Sequence, residues 1–143
     1  MNILLVEDNP GDIMLAKEAL KEARLQSHSL SVVTDGDKAL DFLNQRFQVG
    51  GALIPDLIIL DLNIPCRNGK EVLRYIKEHP SLRHIPVVVF STSAAEHDVN
   101  TCYKLQANCY VTKPIDFDDF VDVISSIVNF WSKVATVRFA AVA

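Results

Sequence analysis

Uninterrupted apolar blocks punctuate the chain, separated by stretches whose apolar positions recur every three or four residues. Residues 3–6, 57–60 and 87–90 read ILLV, LIIL and VVVF. Short runs with no polar alternation predict strands covered on both faces. Residues 30–33 and 110–111 are less continuous, which places them at the edges of a sheet. Helical spacing predicts a helix over 12–24 with Ile13, Ala16, Leu20 and Ala23 facing in. A short one covers 37–44 on Ala39, Leu40 and Leu43. A third covers 68–78 on Val72, Leu73 and Ile76, with Pro80 just past its end. A fourth covers 96–106, with Val99, Cys102 and Tyr103 inward. The last runs from Phe117 through Phe120, Val121, Ile124 and Val128 to Trp131, with Asp116 placed to cap it. Residues 45–55 and 132–143 read as a long loop and a tail.

Five strands alternating with five helices predict an α/β fold, a flavodoxin-like (βα)5 three-layer sandwich around a parallel five-stranded sheet. The strongly apolar first, third and fourth strands belong in its centre, which gives the order 2-1-3-4-5. One domain is expected over residues 1–131, followed by the tail 132–143. A chain of 143 residues with 49% hydrophobic content can bury such a core without staples.

Charge and cysteine usage narrow the setting. A net charge of −4 argues against a DNA-binding or anionic-membrane surface. No apolar run approaches the roughly 20 residues that span a bilayer, and no basic leader precedes Ile3. Cys66, Cys102 and Cys109 form no CxxC and are odd in number, so a reduced, cytoplasmic protein is expected. His28, His79, His84 and His97 fall in separate segments without ligand spacing.

In open parallel sheets, ligands bind beyond the carboxyl ends of the strands. Strand one ends in Glu7-Asp8, strand three in Asp61 followed by Asn63, strand four in Ser91-Thr92-Ser93, and strand five in Thr112-Lys113-Pro114. Each set alone is an ordinary turn or cap; their joint placement on one rim is what points to a site. Asp8 and Asp61 would force like charges together unless a cation joined them. Magnesium suits such a set, since it takes one or two carboxylates plus a phosphate. A carboxylate can accept a phosphoryl group covalently, with Lys113 as a point charge and a hydroxyl from strand four on the phosphoryl oxygens.

The set Glu7-Asp8, Asp61, Ser91 and Lys113-Pro114, with Gly69 in the loop after strand three, resembles the receiver domain of two-component response regulators. The resemblance covers residues 2–131. It implies that Asp61 is phosphorylated by a histidine kinase, and that Asp8 and Asp61 bind Mg²⁺ directly. It further implies that Asn63 offers its backbone carbonyl to the metal and that Glu7 acts through water. Lys113 and Ser91 would serve the chemistry, Ser91 and Tyr110 the switch. The Lys113–Pro114 bond is often cis in this family. Residues 45–55, the stretch 108–113 (NCYVTK) and Phe130-Trp131 make the chain most similar to stand-alone regulators paired with cyanobacterial phytochromes. Output would then pass through the face of the fourth helix, fifth strand and fifth helix, to a downstream protein or to a second copy as a homodimer. Phe130, Trp131 and the apolar residues 139–143 could extend such a surface. Thr92 stands where the family usually has Ala or Gly, and Gln106 and Cys109 where it often has small residues.

Three rival readings remain. A magnesium phosphohydrolase of the haloacid-dehalogenase type would use Asp61 as nucleophile but needs an aspartate where Asn63 stands. A flavin-binding module needs a phosphate cradle after strand one, where Glu7-Asp8-Asn9-Pro10 repels phosphate. A pseudo-receiver acting as a docking domain would dispense with the acidic set.

Overall fold

A computed structural model describes residues 1–22, 28–48 and 54–137. Its elements are β1 (Asn2–Val6), α1 (Pro10–Glu22), β2 (Ser29–Val33), α2 (Gly36–Gln48), β3 (Leu57–Leu60), α3 (Gly69–Glu78), β4 (Val87–Ser91), α4 (Glu96–Lys104), β5 (Cys109–Thr112) and α5 (Phe117–Asn129). A single π-helical turn, Phe130–Val134, follows α5. The five strands form one parallel sheet in the order β2-β1-β3-β4-β5, the predicted flavodoxin-like sandwich.

Period-two alternation divides the strand residues between two cores. Leu4, Val6, Ile58, Leu60, Val87 and Val89 pack with Leu43 of α2, Val72, Leu73 and Ile76 of α3, and Cys102 of α4. Ile3, Leu5, Leu57, Ile59, Val88 and Phe90 pack with Ala16 and Ala19 of α1 and Phe120, Ile124 and Val128 of α5. Ile59 sits in register between Leu5 and Val88, so β3 has a strand on each side and a helical layer on each face. Every residue of β3 is buried, which is why its sequence carries no polar position.

Local boundaries depart from the pattern where polar residues continue a helix. The first helix begins at Pro10, since a fixed φ and a missing N–H suit the first helical position. The Asn9 side chain caps it by accepting from the Asp12 N–H at 3.1 Å. The second helix runs to Gln48, and Arg46 lies over the Phe42 ring one turn earlier at 4.5 Å. Tyr103 is not inward: it is 47% exposed, and its hydroxyl accepts from the Tyr110 N–H at 3.1 Å on the sheet edge. Asp116 caps α5 as expected, accepting from the Asp118 and Asp119 N–H groups. Ala23, residues 49–53 of the expected loop and residues 139–143 of the apolar tail lie outside the described residues. No helix among those described is long and apolar enough to cross a membrane.

Gly36 docks the start of α2 onto the loop after β3; its N–H donates to the Pro65 carbonyl at 3.2 Å. A β-carbon here would overlap the Arg67 backbone carbonyl. Gly36→Ala is therefore expected to destabilise the protein by about 1–3 kcal/mol in urea unfolding, although alanine is otherwise the better helix former. A gain in stability would show that this contact is not tight.

Candidate functional site

The sheet hydrogen bonding continues one residue past the strand ends and fixes the rim. The Glu7 N–H donates to the Val33 carbonyl (3.0 Å), Asp61 N–H to Val6 (3.0 Å), and Lys113 N–H to Ser91 (2.7 Å). Gly69 brings α3 against this rim, where any β-carbon would overlap the Asp61 carbonyl. Its N–H donates to the Leu62 carbonyl at 2.9 Å. Asp61 thus projects from a backbone held on both sides.

Side chains from four elements then meet. The Lys113 ammonium donates to Glu7 Oε2 at 2.7 Å, Asp12 Oδ2 at 2.8 Å and Asp61 Oδ2 at 3.1 Å. Glu7, Asp61 and Lys113 are all buried. One carboxylate oxygen from each of Glu7, Asp8 and Asp61 lies within 4.8 Å of the others, and Asp8 is exposed at the mouth. Asn63 is exposed beside them, its N–H 3.4 Å from Asp61 Oδ1. Four carboxylates face one ammonium, and the excess of oxygen donors and negative charge fits a hard divalent cation.

Burial acts on these groups in opposite senses. Desolvation pushes the Glu7 carboxyl up to about 7; the Lys113 hydrogen bond opposes this and the Asp61 charge adds to it. Desolvation also pulls the Lys113 ammonium down, but the hydrogen bonds it donates to Asp12 and Glu7 and the charges of Glu7 and Asp61 outweigh it. Its pKa is held well above the ordinary lysine value.

Ser91 and Tyr110 form a second system beside the charges. Ser91 is fully buried, and its Oγ accepts from the Ser93 N–H at 3.3 Å. The Tyr110 hydroxyl donates to the Ser93 carbonyl at 2.7 Å, so the ring folds over this loop. Ser93 Oγ also donates to Asp98 Oδ2 at 2.5 Å, and Lys70 Nζ reaches Asp98 Oδ1 at 2.6 Å. The exposed Thr92 side chain lies at the surface of this loop. The Lys113–Pro114 peptide is trans, against the isomer the resemblance implied.

Sequence reasoning placed Glu7, Asp8, Asp61, Asn63, Ser91 and Lys113 at this rim, where they lie; Tyr110, expected only as a switch residue on an edge strand, lies within β5 with its hydroxyl on the Ser93 carbonyl. It missed Asp12 and the Lys70–Asp98 pair, which sit in the first turns of α1, α3 and α4. A usable signal existed: helices that follow parallel strands start at the same rim, so first-turn polar residues face it. Cys66 is exposed nearby, with no base beside it among the contacts described, while Cys102 is buried and Cys109 half-buried.

The raised Glu7 pKa carries a stability consequence. In the unfolded chain Glu7 loses its proton near 4.5, whereas in the metal-free fold it keeps it up to about 7. Folding therefore becomes less favourable as pH rises through this window. The wild type minus Glu7→Gln difference in unfolding free energy is expected to fall by about 1–3 kcal/mol between pH 5 and 8. Denaturant titrations with chelator present measure it, and a difference that rises with pH would overturn the assignment.

Comparison with known proteins agrees with this geometry. The family model described as response regulator receiver domain matches residues 3–125. Response regulator Rcp1 of Synechocystis sp. is 42% identical over 138 residues, covering 96% of this chain and 93% of the relative. Among solved structures, the phosphorylated cyanobacterial phytochrome response regulator RcpA superposes with a TM-score of 0.89 at 43% identity, covering 96% of this chain and 98% of its own. The Mn²⁺-bound form of Rcp1 gives 0.86 at 41% identity, covering 96% and 99%. Domain match, identity over nearly the whole chain and the rim of acids around Lys113 lead to one conclusion: the chain belongs to the response regulator receiver family.

Proposed function

We propose that this protein is a phosphoacceptor in two-component signalling, taking a phosphoryl group from a histidine kinase onto Asp61 in a Mg²⁺-dependent reaction. The observation that carries this reading is the Asp61 carboxylate itself: buried, 3.1 Å from the Lys113 ammonium, and sharing a cluster of oxygens with Glu7 and Asp8. An Asp61 oxygen attacks phosphorus, a P–O bond forms as the donor's P–N bond breaks, and the leaving imidazole keeps the electron pair and takes a proton from water. Lys113 donates to a phosphoryl oxygen, and the Ser91 hydroxyl donates to another. A Mg²⁺ held by Asp8 and Asp61, by the Asn63 carbonyl and by Glu7 through water would neutralise charge on the same oxygens. Asn63 in place of an acid leaves no general acid for hydrolytic turnover, which favours this reading over a phosphohydrolase.

Residues 1–131 are proposed as the signalling unit and 132–143 as its tail. Similarity to RcpA, a cyanobacterial phytochrome response regulator, supports a phytochrome-type kinase as donor. Output through the α4–β5–α5 face, to a downstream protein or a second copy, is supported by exposed Phe117 and Phe130. An apolar groove of about 440 Å³, lined by Val88, Cys109, Val111, Ile127 and Trp131, supports it too. Unpaired Cys66, Cys102 and Cys109 agree with a reducing, cytoplasmic setting.

Incubation with Mg²⁺ and acetyl phosphate is expected to attach one hydroxylamine-labile phosphate per chain, absent in Asp61→Asn. An unlabelled wild type would instead favour a pseudo-receiver used for docking, and a labelled Asp61→Asn would remove Asp61 from its role. For the switch, Ser91→Ala should still be labelled yet lose the phosphorylation-dependent shift of the Tyr110 ring resonances in NMR spectra. If the Tyr110 shift survives, Ser91 does not couple the two.

A further inference from the structure

Lys113 is held by three carboxylates that are not equivalent. Glu7 and Asp61 belong both to the lysine and to the cluster of oxygens that fits a cation; Asp12 bonds the ammonium but lies outside that cluster. A cation in the cluster would draw on Glu7 and Asp61, and a phosphoryl group would convert the Asp61 carboxylate to an ester-like oxygen. Asp12 is the one acceptor of the three that neither event touches. Its backbone is fixed, because the Asn9 side chain holds its N–H in the first turn of α1.

First-turn acids usually serve only the helix dipole, and this protein provides the comparison. Asp118 and Asp119 lie in the first turn of α5, Asp119 at the position matching Asp12, and both are exposed. Asp37 of α2 pairs with Arg67 at the surface, where the two side chains are 58% and 48% exposed. The Asp12 side chain is 23% exposed and reaches the ammonium of a lysine whose side chain is 4% exposed. Moreover, an extra negative charge beside the phosphoryl position repels an anionic donor, so on charge alone the site would do better without it. We propose that Asp12 is a positioning residue for Lys113: it fixes the flexible lysine side chain so that the ammonium points at the incoming phosphoryl oxygens.

The two effects of Asp12 have opposite signs, which makes the proposal testable. This inference rests on Asp61 phosphorylation, so wild-type labelling by acetyl phosphate is the first control; its failure overturns that function. With saturating Mg²⁺, Asp12→Ala is expected to lower the maximal labelling rate by about tenfold. Asp12→Asn, which keeps an acceptor oxygen, should lie between it and the wild type, and half-saturation by the donor should not rise. A maximal rate that is unchanged or higher would mean that Asp12 is only a repelling charge, and overturns the proposal. Calorimetric Mg²⁺ affinity should change by less than about threefold. A loss of tenfold or more would make Asp12 a metal ligand instead. Independently of any labelling, the Lys113 ammonium resonance in ¹⁵N-lysine spectra of the Mg²⁺-loaded protein should be resolved in the wild type and broadened away in Asp12→Ala. If it stays resolved in a variant with native unfolding behaviour, Asp12 does not hold the lysine.

Discussion

One ammonium bonded to three carboxylates at the end of a parallel sheet is the constraint on which the rim depends. At about 3 Å and an effective dielectric near 20, each ionised pair is worth roughly 5–6 kcal/mol of attraction, and Glu7 supplies its share in full only once it has lost its proton. Dehydrating each ion costs several kcal/mol in return. The balance is favourable only because the geometry is fixed in advance by strands that cannot shift without breaking their neighbours' hydrogen bonds. Asp61 follows a strand buried on both faces, Glu7 follows the strand beside it, and Lys113 is tied through its own N–H to Ser91. Even so, the lysine leaves negative charge over, since Asp8 makes no ion pair among the described residues and its oxygen lies in the same cluster as those of Glu7 and Asp61. This residual field is what a divalent cation and a phosphoryl group together can complete.

The sheet was legible because burial on both faces erases alternation: ILLV, LIIL and VVVF have few other uses in a domain of this size. The rim residues followed, since a strand end is one position past the last apolar residue. What escaped was of two kinds. Helix limits failed where polar residues kept the helix going, as beyond Asn44 in α2, because the pattern records burial and not backbone conformation. Pairings failed where partners are distant in sequence: Lys113 and Asp12 are 101 positions apart, and Lys70 and Asp98 are 28 apart. A first-turn aspartate has a sufficient local explanation as a dipole partner, so nothing in its surroundings demanded a distant one. Tyr103 misled for a related reason, since an aromatic ring at helical spacing can cover a sheet edge rather than enter the core.

The two systems at the rim share backbone, and this limits how a change at one can stay local. Ser91 carries the carbonyl that receives the Lys113 N–H and the hydroxyl that receives the Ser93 N–H. Ser93 in turn carries the carbonyl that receives the Tyr110 hydroxyl and the oxygen that bonds Asp98. Movement of the Ser91 side chain therefore costs the Ser93 N–H its acceptor, and the loop that loses it also holds the tyrosine ring. A hydrogen bond to a charged phosphoryl oxygen is worth about 1.5–3 kcal/mol. At about 1.4 kcal/mol per factor of ten, such a bond from Ser91 would shift an equilibrium between two loop packings by roughly 10- to 100-fold. The Ser91 side chain is fully buried, so a loop repacking that gives the Ser93 N–H another acceptor would offset the bond that Ser91 gives up.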